Sequence, residues 1–123
     1  MAAKRPLFTE NFSSNLIAIE AFLSADGASY FSKFFDRLVD EIVPHACRFP
    51  LSGRSFLDRS VLSTQGQGLA ERLASRLQTG DDIRELIVDD FLLLYLVRGG
   101  RLVFLSIKHH RQLSYDLRTF WRE

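Results

Sequence analysis

A chain of 123 residues, 46% hydrophobic, 12% aromatic and 25% charged, carries enough apolar surface for one buried core and too little length for two, which excludes a multidomain machine and an intrinsically disordered chain. Sixteen Lys and Arg face fifteen Asp and Glu, so a formal charge of +1 excludes a chain that grips nucleic acid by bulk charge, and any basic site must be local. Cys47 is the only cysteine, which excludes an intrachain disulfide and a cysteine-built zinc site and fits a reducing compartment.

Residues 1–5 are basic, but no apolar stretch long enough for a signal peptide or a membrane span follows them, so the cytoplasm is the expected location. Residues 4–9 read as a short extended segment. A polar start at Thr9 or Asn11 then opens a first helix, in which Phe12, Leu16, Ile19 and Leu23 fall at spacings of four, three and four and line one face. The polar stretch 24–28, with Gly27, is expected to break it.

A second helix is expected from about Ser29. Phe31, Phe34, Phe35, Leu38 and Ile42 repeat at helical spacing, while Lys33, Arg37, Asp40 and Glu41 face outward. Two amphipathic helices with a short polar link make a hairpin. Pro44 kinks or ends the second, and residues 48–54, which hold Pro50 and Gly53, are a turn-rich exit. Residues 55–80 read as a loop plus one short helix, with Leu69, Leu73 and Leu77 at every fourth position arguing that it docks on the core.

From Ile83 the pattern becomes that of strands, over 83–88, 91–97 and 102–109. Asp89-Asp90 and Arg98-Gly99-Gly100-Arg101 separate them, and such short turns dictate an antiparallel meander. The middle run is apolar at every position, as a central strand covered on both faces requires. Residues 111–122 fit a short helix. Its period sets Arg111, Tyr115, Arg118 and Arg122 in one stripe and Leu113, Leu117, Phe120 and Trp121 opposite. Such a stripe is either the solvated face of an amphipathic helix or an anion-recognition face for an acidic partner or for phosphate. From Arg98 onward six basic residues stand against Asp116 and Glu123, which concentrates charge at this end of the sequence.

Familiar catalytic templates are missing: there is no phosphate-binding loop, no dinucleotide fingerprint, no serine elbow and no activated setting for Cys47. Asp89 and Asp90 read as turn formers. Because neighbours on a strand point to opposite faces, His109 and His110 are not expected to share a metal ion, and neither a metal nor a cofactor is expected.

The run Ile83-Arg84-Glu85-Leu86, then Asp89-Asp90-Phe91-Leu92-Leu93-Leu94-Tyr95, then Leu105-Ser106-Ile107-Lys108-His109-His110-Arg111-Gln112-Leu113-Ser114-Tyr115-Asp116-Leu117 resembles the C-terminal half of RelE/ParE-family toxins of type II toxin–antitoxin systems. The N-terminal half, ending in Arg48-Phe49-Pro50 and Gly53-Arg54, is similar to that family's opening, and residues 55–80 are a longer link than the family's usual one. The resemblance implies an α+β fold over a single domain, 1–123, with an insertion at about 55–80. In it a short N-terminal strand and a helical hairpin pack on an antiparallel meander that ends in a short helix.

It also implies a cognate antitoxin, a DNA-binding repressor whose flexible acidic tail wraps the toxin in a hetero-oligomer, with no membrane involved. Growth arrest and plasmid stabilisation are the associated roles. Within the family, ParE-like members act on DNA gyrase without catalytic residues, whereas RelE-like members are ribosome-dependent, metal-independent mRNA endoribonucleases. The long helices and the Phe-Pro exit lean towards the ParE-like branch, and a non-toxic antitoxin-binding relative is the third alternative. The residues expected to meet target or antitoxin are Arg84, Lys108, His109, His110, Arg111, Tyr115, Arg118 and Arg122. Under the endoribonuclease alternative His110, Arg111 and Tyr115 would be catalytic.

Overall fold

The computed structural model describes residues 3–56 and 75–110, the side chains of residues 24–28 excepted. Strand β1 (Arg5–Phe8) leads directly into a 28-residue helix, α1 (Glu10–Arg37). A π-helical turn (Leu38–Ile42) and a short helix, α2 (Val43–Arg48), follow without a break. Strands β2 (Arg54–Ser55), β3 (Asp82–Val88), β4 (Phe91–Arg98) and β5 (Arg101–His109) complete the order. Among the described residues no helix is long and apolar enough to cross a membrane.

The fold is α+β. Thr9 caps α1, its Oγ1 accepting from the Phe12 N–H at 3.1 Å, and Glu10 and Arg37 complement the helix dipole at the two ends. The helical hairpin expected from the sequence does not form, since one helix runs through residues 24–28. Phe12, Leu23 and Phe34 stand eleven residues apart, about three turns each, so the inward stripe keeps its phase across the polar stretch. Against that continuous burial an interior glycine costs only about 1 kcal/mol.

The change of helix type has a local cause at Pro44, which offers no N–H and whose ring crowds the carbonyl four residues back. Widening the preceding turn relieves the clash, and the Val43 N–H accordingly bonds to the Leu38 carbonyl, five residues back.

The strands form one sheet in the order β1-β5-β4-β3-β2. The meander β3-β4-β5 is antiparallel and turns where expected, with Val88 opposite Phe91 and Arg98 opposite Arg101. The sheet as a whole is nevertheless mixed and not antiparallel, because β1 lies parallel to β5 along Arg5↔Arg101 to Phe8↔Phe104. A pairing between segments so distant in sequence leaves no trace in local periodicity. Alternation along β4 sends Phe91, Leu93 and Tyr95 to the helix side, where they pack with Phe12, Ile19, Phe34 and Leu38. Leu94 and Leu96 join Ile83, Val103, Leu105 and Phe56 on the opposite face, and Leu77 packs against that second cluster.

Candidate functional site

One end of the sheet gathers ionisable groups from three elements. The β3–β4 turn consists of Asp89 and Asp90 alone, and Asp89 takes a left-handed φ of 53°, which aspartate tolerates better than most residues. Because Phe91 opens β4 opposite His109, the chain leaves β5 beside this turn. The His110 N–H donates to the Asp90 carbonyl at 2.7 Å.

Helix α1 clamps the turn from above. The Tyr30 hydroxyl donates to Asp90 Oδ2 at 2.8 Å. Arg37 pairs with Asp89 and, at 3.5 Å, with Glu41. Partial burial, then the hydrogen bond and charge of Asp90, then the charge of Asp89 push the Tyr30 hydroxyl up to about 12. The phenol therefore remains a donor throughout the physiological range.

Aromatic packing fixes the same corner. Phe34 stacks on Phe91 with centroids 3.8 Å apart, and His109 meets Phe91 edge-on at 5.2 Å. His109 is only 2% exposed, whereas Asp90 and His110 face solvent. The imidazoles of His109 and His110 nonetheless lie 4.4 Å apart by centroid, and His110 Nδ1 stands 3.7 Å from Asp90 Oδ1. One ligating atom each from Asp90, His109 and His110 falls within 4.8 Å of the others. The expectation that the two histidines diverge is thus corrected: β5 ends at His109, and His110 already belongs to a turn where strand alternation no longer operates.

The other residues singled out from the sequence are dispersed. Arg84 sits in β3, donating to Asp82 Oδ2 and to the Gly53 carbonyl, each at 2.7 Å. It braces the exit from α2. Lys108 is half-buried opposite Leu92, and burial pushes its ammonium pKa down while the charge of Glu85 pulls it up. Arg98 grips Asp81 through two bonds of 2.9 and 2.6 Å. Arg111, Tyr115, Arg118 and Arg122 lie outside the described residues.

Among the described residues the basic groups of this stretch do not cluster. Arg98 and Arg101 flank the Gly99–Gly100 turn, where the Lys4 ammonium donates to the Gly99 carbonyl at 2.6 Å and Arg5 lies beside Arg101. His109 and His110 end β5 at its other extremity, about 27 Å away by strand rise. Cys47 is buried, and that burial pushes its thiol pKa up, away from the thiolate a nucleophile needs.

Sequence reasoning missed Tyr30, Arg37 and Asp90 as members of one corner. The two aspartates carry a turn signal and nothing more, and α1 meets them only through tertiary contacts spanning 60 and 52 residues. The sequence matches no protein-family model and no curated protein.

Proposed function

We propose that the chain is the toxin component of a type II toxin–antitoxin system of the RelE/ParE kind, a growth inhibitor that binds a macromolecular target and is neutralised by a cognate antitoxin. The observation that carries the reading is the course of β5. The run Leu105-Ser106-Ile107-Lys108-His109-His110, part of the stretch that carries the resemblance, ends beside the Asp89–Asp90 turn. An α+β frame with the meander turning at Asp89–Asp90 and Gly99–Gly100 supports it as well.

DNA gyrase is the proposed target, and the cytoplasm the proposed location. The test pairs two assays on the purified chain. Inhibition of supercoiling or accumulation of cleaved DNA with gyrase is expected, relieved by the product of a neighbouring gene with an acidic, poorly structured end; unaffected gyrase at saturating protein overturns this target.

One observation favours a second reading, a ribosome-dependent mRNA endoribonuclease. His110 is exposed and stands beside Asp90, as a general acid or base would. Codon-positioned cuts in translated message, lost in Tyr115→Phe with Arg111→Ala, would establish it, and intact message during growth arrest would dismiss it. Harmless overexpression without the partner gene would leave a non-toxic antitoxin-binding relative.

A further inference from the structure

We propose that Asp90, His109 and His110 form a binding site for a divalent transition-metal ion of the zinc class, oriented by Tyr30. The proposal stands apart from the toxin reading. Its first support is geometric. Ligand atoms about 2.0–2.1 Å from a tetrahedral zinc lie about 3.4 Å from one another. His110 Nδ1 and Asp90 Oδ1 are already 3.7 Å apart, and the three donors fall within 4.8 Å. His109 is packed against Phe91, whereas Asp90 and His110 lie at the surface, where small side-chain rotations adjust the donor distances.

The second support is the surrounding shell. A ligating carboxylate is held by hydrogen bonds from groups behind it, and Tyr30 donates to Oδ2 of Asp90, which leaves Oδ1 directed at His110. The His110 N–H to the Asp90 carbonyl bond locks the two ligand-bearing segments together. Arg37, the nearby cation from α1, is engaged by Asp89 and Glu41, so the carboxylate of Asp90 is not its partner. Imidazole and carboxylate donors suit zinc, cobalt or iron(II) better than magnesium or calcium, which favour all-oxygen shells. Three protein ligands leave at least one position open to water or to a fourth group.

Two adjacent histidines make this arrangement only because the strand stops between them. A further residue of β structure would turn His110 to the other face of the sheet.

The experiment uses the full chain without a histidine tag, titrated with Zn²⁺ at neutral pH by calorimetry and with Co²⁺ by visible absorption. One equivalent is expected to bind, with a cobalt spectrum characteristic of nitrogen and oxygen donors. Asp90→Ala and His110→Ala should each weaken zinc binding at least tenfold, and Tyr30→Phe by a smaller factor, while His45→Ala, on α2, should bind as the parent does. All four positions are exposed, and circular dichroism verifies that each variant folds. Absence of zinc binding in the parent overturns the site, as does binding that persists equally in Asp90→Ala and His110→Ala.

Discussion

The side-chain oxygen of Asn15 accepts the Ser106 hydroxyl at 2.6 Å and the Ile107 N–H at 3.1 Å, joining the first two turns of α1 to the interior of β5. The link answers a defect in the ladder. Leu94 pairs with Ser106 but Tyr95 pairs with Phe104, so Leu105 has no residue opposite it on β4. Around the bulge the carbonyls of β5 are bonded from the start of α1 and its cap: Asn11 donates to the Leu105 carbonyl at 2.9 Å, and the Thr9 hydroxyl lies 3.1 and 3.2 Å from the Phe104 and Leu105 carbonyls. Asn15→Leu removes an oxygen that accepts three buried donors, the Asn11 amide at 3.3 Å being the third, and each donor left unbonded costs about 1–3 kcal/mol. A loss of about 2–4 kcal/mol in urea unfolding is expected, and a loss below 0.5 kcal/mol would mean that other groups bond the bulge.

Gly53 and Tyr95 provide a second test of packing. The Tyr95 hydroxyl donates to the Pro50 carbonyl at 2.7 Å and accepts the Gly53 N–H at 3.0 Å, pinning the exit from α2 to the centre of the sheet. A Cβ on Gly53 would stand 2.7 Å from that hydroxyl and 2.9 Å from the Glu85 carbonyl. Gly53→Ala should therefore cost about 1–3 kcal/mol by overpacking. Tyr95→Phe relieves only the first clash, so a double-mutant cycle should show partial and not full rescue.

How far the sequence foretold this fold depends on how local each signal was. Asp89–Asp90 and Gly99–Gly100 each link strands that their own residues define, and both turns occur where expected. Gly27 is a breaker by local signal alone, and Phe12, Leu23 and Phe34 keep one phase across it. The pairing of β1 with β5 joins residues 96 apart, as Arg5 with Arg101, and no window of sequence contains both. The strand rule applied to His109 and His110 holds only up to the last ladder residue. The corner made by Tyr30, Asp90 and His110 was illegible for the same reason as β1: it exists only after the sheet has closed against α1.

The Tyr30–Asp90 bond makes a prediction about high pH. A phenol ionises near 10 in an unfolded chain and is raised to about 12 here by burial and by the two aspartates, so between these values the folded state holds the proton that the unfolded state has lost. Stability from this bond is therefore complete below about pH 10 and falls as pH rises towards 12. In Asp90→Asn the Tyr30 ionisation, followed by ultraviolet absorption, should move to lower pH, because both the bonded carboxylate and its charge are gone. An unchanged titration would show that burial alone sets the value.

Asp81 and Arg98 predict the opposite limb. The Asp81 carboxylate, with its side chain only 2% exposed, receives two bonds from Arg98 and a third from the Gln78 N–H at 2.8 Å. Chiefly the Arg98 bonds hold its pKa below the ordinary carboxylate value, against the opposing pull of burial. A lowered folded-state pKa means that the unfolded chain takes up the proton first, so the stabilisation is full above about pH 4 and drains away as pH falls through the folded-state value. Asp81→Asn should lower stability at neutral pH by leaving the guanidinium without its counter-charge, and should flatten the acid limb of the curve. Unfolding midpoints measured from pH 7 down to pH 2 check both effects. Parallel curves for parent and variant below pH 4 would show that other carboxylates govern acid unfolding, while a neutral-pH loss without flattening would assign Asp81 to packing and not to charge.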